Sequence, residues 1–336
     1  MKSVIVRSPT RVDLAGGTLD LWPLYNFVGG ARTVNLAINI MTTAEITPLP
    51  DGQIELISDD LKFRKSFKNL QECLKDSDSN LALLKAQLGY WKPTQGFRLQ
   101  TRSESPVGGG LGGSSSLTIS LLKAFSQFCG RDLGSVHRMV HVAHNVEAEI
   151  LNTPTGTQDY YPAASGGINI LSYTADGIEQ EVLDAETSVL AQNFMLVYTG
   201  KAHHSGLNNF EVLTKAVQKD PQTLTALRQL KEIAEETAQT VKTGQWQQLP
   251  ELFQHEFKAR VQLAPAFSSP EIEKLAEVSL QAGAGAVKIC GAGGGGCVLV
   301  WTEPSNRERV QAACQAAGFQ VLAAKPVGKL QQPARS

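Results

Sequence analysis

The sequence predicts a mixed α+β fold in two domains. Strand-like segments cluster rather than strictly alternating with helices. The second half is richer in helical periodicity than the first, and the change falls near residues 174–190. The chain has 336 residues, enough for two cores. The expected division is 1–180, 181–330 and a tail at 331–336.

The elements follow in order. Residues 3–7 read as a strand, and 11–14 alternate until Gly16-Gly17 breaks the pattern. Residues 34–40 and 43–47 are strands, as is 54–58 after the Pro50-Asp51-Gly52 turn. A helix is expected over 81–90 and a half-buried strand over 97–101. The helix expected at 115–128 puts Leu117, Leu121, Leu122, Phe125 and Phe128 on one face. Another covers 135–151, and 167–173 is a strand. Past the boundary, 194–198 is a strand, and 207–218, 224–242 and 249–263 are helices. Ser269-Pro270-Glu271 starts a further helix with a cap, a first-turn proline and an acid at the positive end of the dipole; it stops near Gly283. Strands at 287–290 and 297–301 flank a glycine run, then come a helix at 307–317 and a strand at 320–325. Disorder is expected after Lys329.

Composition narrows the function. Apolar residues make up 42% and charged residues 19%, as in ordinary soluble globular proteins. A formal charge of −1 gives no electrostatic case for nucleic acid or an anionic membrane as main partner. The five cysteines (Cys73, Cys129, Cys290, Cys297, Cys314) are odd in number and form no C-x-x-C, so a reduced, cytoplasmic compartment is expected. Cys290 and Cys297 read as small apolar strand residues. The N-terminus has no signal-peptide core and no transmembrane run follows.

Residues 106–116 read Pro-Val-Gly-Gly-Gly-Leu-Gly-Gly-Ser-Ser-Ser and lead straight into an apolar helix. Five glycines uncover backbone N–H groups, and the helix adds the positive end of its dipole, which together make a cradle for phosphate. G-x-G-x-x-G occurs twice, at Gly108, Gly110, Gly113 and at Gly291, Gly293, Gly296. A dinucleotide fold would place such a loop after a near-continuous apolar strand, whereas Phe97–Arg102 alternates. No Gly-Lys-Ser/Thr completes a Walker A motif, and neither H-R-D nor D-F-G is present. The loop is a phosphate cradle of another kind.

Three segments carry a resemblance: Ser8-Pro-Thr-Arg-Val-Asp-Leu-Ala-Gly-Gly-Thr-Leu-Asp20, Pro106–Ser116 and Lys288-Ile-Cys-Gly-Ala-Gly-Gly-Gly-Gly-Cys297. In order and spacing they resemble the galactokinase–homoserine kinase–mevalonate kinase (GHMP) superfamily across nearly the whole chain. Thr155-Gly-Thr-Gln-Asp159 and Tyr198-Thr-Gly200 look most like the bacterial D-glycero-D-manno-heptose 7-phosphate kinase branch, with fucose 1-kinases as near relatives. The resemblance implies a ribosomal S5-like N-terminal domain, a ferredoxin-like C-terminal domain and an active site between them. It implies ATP and Mg²⁺ as cofactors and a sugar or sugar phosphate as acceptor, phosphorylated at its anomeric hydroxyl. It leaves open a mevalonate-type alcohol acceptor, a non-catalytic sensor, and a monomer or homodimer.

The resemblance also assigns residues. Pro106, Gly108, Gly109, Gly110, Leu111, Gly112, Gly113, Ser114 and Ser115 match the nucleotide loop, with Ser115 and Ser116 also suited to a helix start. Gly113 stands where many members carry a serine. Ser114 and Glu147 match the magnesium ligands, and hard oxygens suit that ion. A zinc site on the stripe His137, His141, His144 and Glu147 is the rival. Asp159 matches the base that takes the acceptor proton, and Arg11 the cation expected to lower its pKa and offset developing charge. Asp20 matches a reader of sugar hydroxyls, with Gly17, Thr18, Gly156, Gly293 and Gly294 around the acceptor. Galactokinases carry Glu-His where Gly17-Thr18 stand, so a roomier, non-galactose pocket is expected. Lys201, Arg32, His203 or His204 would have to answer any phosphate on the acceptor.

Overall fold

The computed structural model describes residues 2–185, 189–202, 205–291 and 293–331, with side chains for all of these except 205–208. The N-terminal half runs β1 (Val4–Ala15), α1 (Leu24–Phe27), β2 (Ala31–Leu49), β3 (Ile54–Ser58), β4 (Phe63–Phe67), α2 (Leu70–Lys75), α3 (Ala82–Trp91) and β5 (Gly96–Ser103). It continues with α4 (Gly113–Cys129), α5 (Val136–Leu151), α6 (Tyr160–Ser165), β6 (Ile168–Thr174) and β7 (Gly177–Leu183). The C-terminal half has α7 (Leu190–Asn193), β8 (Phe194–Tyr198), α8 (Ser205–Val217), α9 (Pro221–Thr243), α10 (Leu249–Leu263), α11 (Pro270–Gln281), β9 (Ala286–Ile289), β10 (Cys297–Trp301), α12 (Arg307–Ala316) and β11 (Gln320–Leu322).

A seven-stranded sheet takes the order β4-β3-β5-β2-β6-β7, with β1 paired to β2. Only β3 and β5 pair in parallel among its ladders. Leu121, Phe125 and Phe128 of α4 pack with Phe97 and Leu99 of β5 in its core, as the sequence periodicity requires. The second sheet has the order β11-β8-β10-β9 and is antiparallel throughout. Read across the sheet, its strands are the fourth, first, third and second in chain order, the ferredoxin-like arrangement. A third cluster joins Val12, Leu14, Val34 and Leu36 to Phe194, Leu196, Cys290 and Trp301, so the two halves share a core. No helix among the described residues is long and apolar enough to cross a membrane.

Several expectations need correction. The segments 3–7 and 11–14 are one strand, because a register shift between Pro9 and Thr10 carries the chain past the proline. Likewise 34–40 and 43–47 merge into β2. The strands β4 and β7 and the short helices α2 and α6 have no counterpart in the sequence expectations. In β4, Phe63–Phe67 interleaves Arg64 and Lys65, and β7 is largely polar, so neither shows an apolar run. A division at 180/181 would cut β7. Beyond Lys329 the chain is still tied down: Leu330 N–H donates to the Ser165 carbonyl at 2.8 Å. Residues 332–336 of the tail lie outside the described residues.

Candidate active site

The N-terminus of α4 opens into a cleft of about 560 Å³ whose walls include Pro106, Gly108–Gly110 and Gly112–Ser115. Gly112 enters the helix at φ +68°, a left-handed conformation that side chains rarely adopt, and a Cβ there would come within 3.0 Å of Asp159 Oδ2. No side chain caps α4. Its first-turn N–H groups, at Gly113, Ser114 and Ser115, are therefore free to bind an anion. Leu111 is the exception in the loop. It is buried in the shared core, and its carbonyl accepts the Arg11 N–H at 3.0 Å.

Arg11 joins all three sequence motifs. Its Nε and Nη2 donate to Asp159 Oδ1 and Oδ2 at 2.7 and 2.9 Å, a bidentate pair. Its Nη1 donates to the carbonyls of Gly110 at 2.6 Å and Cys290 at 2.8 Å. The glycine loop is also pinned from behind by Cys297 N–H to the Gly109 carbonyl, 2.7 Å. Cys290 and Cys297 are buried, and burial pushes the Cys290 thiol up to about 12, in keeping with a structural role for both.

Asp20 lies on the same cleft wall, 4% exposed. Its Oδ2 accepts the Gln158 N–H at 3.1 Å, and Gly156 is required beside it because a Cβ there would collide with the carboxylate. Burial raises its pKa to about 6; the Gln158 N–H counters this, while the charges of Asp159 and Asp13 add to it. The unfolded chain gives up this proton near 3.8 and the folded one near 6, so folded-state stability falls as pH rises across that window. Above pH 6 the cost is about 3 kcal/mol. Asp20→Asn removes it, so its Tm should exceed that of the parent at pH 8, and the gap should shrink toward pH 5. A gap independent of pH would contradict the assignment.

Glu147, projecting from α5, is buried and lines the cleft. Ser115 Oγ and the Tyr160 hydroxyl both donate to its Oε2, at 3.2 and 2.6 Å, and Ser114 also hydrogen-bonds it. Burial raises its pKa, which these hydrogen bonds oppose and the Asp159 charge reinforces. The zinc alternative fails. Among the described residues no group of three His, Cys, Asp or Glu could hold a metal. His137 Nδ1 pairs with the Tyr161 hydroxyl, His144 Nε2 with the Thr155 carbonyl and His141 with Asn145.

Other expectations fall outside the cleft. Gly17 does not open a roomier pocket: the space a side chain would take there is filled by Asp13 and Arg260. Gly293 and Gly294 pack on the Pro265–Phe267 turn, with Gly294 N–H donating to the Phe267 carbonyl at 3.3 Å. Gly291 is the member of that run on the cleft wall. Lys201 pairs with Glu271 at 3.3 Å, and neither it nor Arg32 lines the cleft. His203 and His204 lie outside the described residues. Ser105 stands beside Gly113. A Cβ on Gly113 would meet the Ser105 Cβ and Oγ at 3.3 Å, and the Ser105 hydroxyl donates to the Pro106 carbonyl at 3.3 Å. Gly113→Ser should cost about 1–3 kcal/mol, since Ser105 must shift to admit it. It should leave nucleotide affinity close to the parent's, and a loss of about tenfold or more by calorimetry would refute this.

The sequence reading missed Arg260. Its Nη2 donates to Asp13 Oδ2 at 2.6 Å and its Nε to Glu256 Oε1 at 3.0 Å, with all three side chains at most 2% exposed. Lys288 Nζ lies 3.6 Å from Glu256 Oε2 and donates to the Asp13 carbonyl at 2.6 Å. Arg260 Nη1 reaches Thr18 Oγ1 at 3.2 Å and the Gly291 carbonyl at 3.3 Å, on the cleft wall. Burial works against its charge, and Glu256 and Asp13 more than offset that, so its pKa stands above the ordinary value. Two carboxylates and two cations thus stitch β1 to α10 and β9 beneath the cleft wall formed by Thr18 and Gly291.

The model of the GHMP kinases N terminal domain matches residues 75–167, and that of the GHMP kinases C terminal matches 226–320. The chain belongs to the GHMP kinase family, whose members are kinases of sugars and other alcohols. It is 25% identical over 316 residues to a D-glycero-alpha-D-manno-heptose 7-phosphate kinase of Campylobacter jejuni, covering 91% of each chain. It is 26% identical over 308 residues to a mevalonate kinase of Methanocaldococcus jannaschii, covering 88% of this chain and 91% of the other. A crystal structure of a D-glycero-D-manno-heptose 1-phosphate kinase from Bacteroides thetaiotaomicron superposes with a TM-score of 0.77 at 22% identity, covering 97% of both chains.

Proposed function

We propose that this cleft transfers the γ-phosphate of ATP to a hydroxyl of a sugar or sugar phosphate, at the anomeric position. The observation that carries the reading is the bidentate Arg11–Asp159 pair set between the uncapped start of α4 and the buried Asp20. The α4 N–H groups would hold the nucleotide phosphates. Asp20 would accept hydrogen bonds from hydroxyls of the acceptor and orient it. Asp159 would take the proton from the attacking hydroxyl as its oxygen bonds the γ-phosphorus and the bond to the ADP oxygen breaks. Arg11 would hold Asp159 in line and offset charge on the phosphoryl group.

The donor set fits magnesium: a buried carboxylate at Glu147 and hydroxyls at Ser114 and Ser115, hard oxygens without nitrogen or sulfur. Glu147 and Ser114 would hold the ion, and when bound it neutralises phosphate charge. Glu147 itself is kept in place by the chain's own hydroxyls.

The test is ADP release, measured by a coupled assay, with L-fucose, D-galactose, a manno-heptose, its 7-phosphate and mevalonate as acceptors. The reading expects one sugar or sugar phosphate to exceed mevalonate in kcat/KM. Preference for mevalonate would move the chain to alcohol kinases. ATP binding without ADP release from any acceptor would make it a sensor.

A further inference from the structure

We propose that Tyr160 is a positioning residue for the metal-holding carboxylate of Glu147, a role that rests on the magnesium reading above. Its hydroxyl donates to Glu147 Oε2 at 2.6 Å, the shorter of the two bonds on that oxygen; Ser115 donates at 3.2 Å. Tyr160 is fully buried, so no solvent can replace its donor. Neither of these bonds falls on Oε1. They fix the rotation of the carboxylate from one side, and the outer hydrogen bonds of a ligating group set its orientation and its metal affinity.

The sequence gives this bond a second consequence. Tyr160 directly follows Asp159, whose carboxylate is held by both nitrogens of the Arg11 fork. Consecutive residues at the start of α6 are therefore anchored in opposite directions, Asp159 to β1 through Arg11 and Tyr160 to α5 through Glu147. The ring of Tyr160 packs edge-on to His144, one turn before Glu147 on α5, with centroids 6.3 Å apart. That contact holds the ring, so loss of the hydroxyl alone leaves its packing intact. The carboxylate for the ion and the carboxylate for the acceptor proton are thus tied to a single short helix.

Mn²⁺, a paramagnetic stand-in for Mg²⁺, can be titrated into the full chain with the non-hydrolysable analogue AMPPNP and read by electron paramagnetic resonance. Tyr160→Phe should raise the Mn²⁺ Kd by about tenfold or more. Ser115→Ala, which removes the longer bond, should raise it less. Thermal unfolding of each variant monitors folding: a residue that only supports the fold would lower Tm and leave the Mn²⁺ Kd unmoved, which overturns the proposal. Glu147→Gln separates the two levels. If Glu147→Gln weakens Mn²⁺ binding and Tyr160→Phe does not, the positioning role is wrong. If Glu147→Gln is also without effect, or the parent holds no Mn²⁺, the magnesium reading falls and the role of Tyr160 with it.

Discussion

Replacing Asp159 with asparagine should lower kcat by about 10²–10⁴-fold, the usual contribution of a positioned general base. Asparagine keeps an oxygen for Arg11 Nε, so the bidentate pair is weakened rather than removed. Arg11 also keeps its bonds to the carbonyls of Gly110 and Cys290. Nucleotide affinity should therefore change far less than turnover, because the α4 N-terminus does not depend on the carboxylate. Steady-state kinetics with the best acceptor, together with calorimetric AMPPNP binding, separate the two effects. Parental turnover in Asp159→Asn would remove the base assignment; equal loss of binding and turnover would mean that the pair holds the loop and does no proton chemistry.

Arg260→Met should be the most damaging single change to stability. It strands Asp13 as a buried carboxylate and leaves Glu256 only the longer Lys288 contact, and Asp13 Oδ1 already lacks a partner. Breaking such a pair from one side costs about 3–5 kcal/mol. Across 336 residues that lowers Tm by roughly 6 °C. Adding Asp13→Asn should recover part of the loss, since it removes the stranded charge. Strict additivity of the two changes in thermal unfolding would show that Asp13 and Arg260 do not act as a pair. The network also fixes Thr18 through Arg260 Nη1, so acceptor KM should rise with the loss of stability.

Arg11, Asp20, Ser114 and Asp159 stood out because each sits in a motif that carries the family resemblance, and the same resemblance picked out Glu147 on the helix between two of them. The structure brings all five to one cleft. Gly17 was misread for a physical reason: a glycine signals that space is needed but not what fills it. Here an ion pair fills it, with its cation supplied from α10, far along the chain. The signal for that cation was present and quiet. Glu256 and Arg260 fall on the buried stripe of α10 with Leu252, Phe253 and Leu263, and Lys288 interrupts the apolar strand β9. A charge on an apolar face marks a buried partner elsewhere. Tyr160 was hidden differently, since an aromatic residue beside a motif reads as core until its hydroxyl partner is seen. The strand β7 escaped because alternating Glu and Gln residues give it no apolar run.

The most direct measurement is a crystal structure of the chain with AMPPNP and Mg²⁺. The account predicts the phosphates against the N–H groups of Gly113–Ser115, the ion on Glu147 and Ser114, and the γ-phosphate facing Asp159 and Arg11. A nucleotide bound away from the start of α4, or an ion that leaves Glu147 untouched, would contradict it.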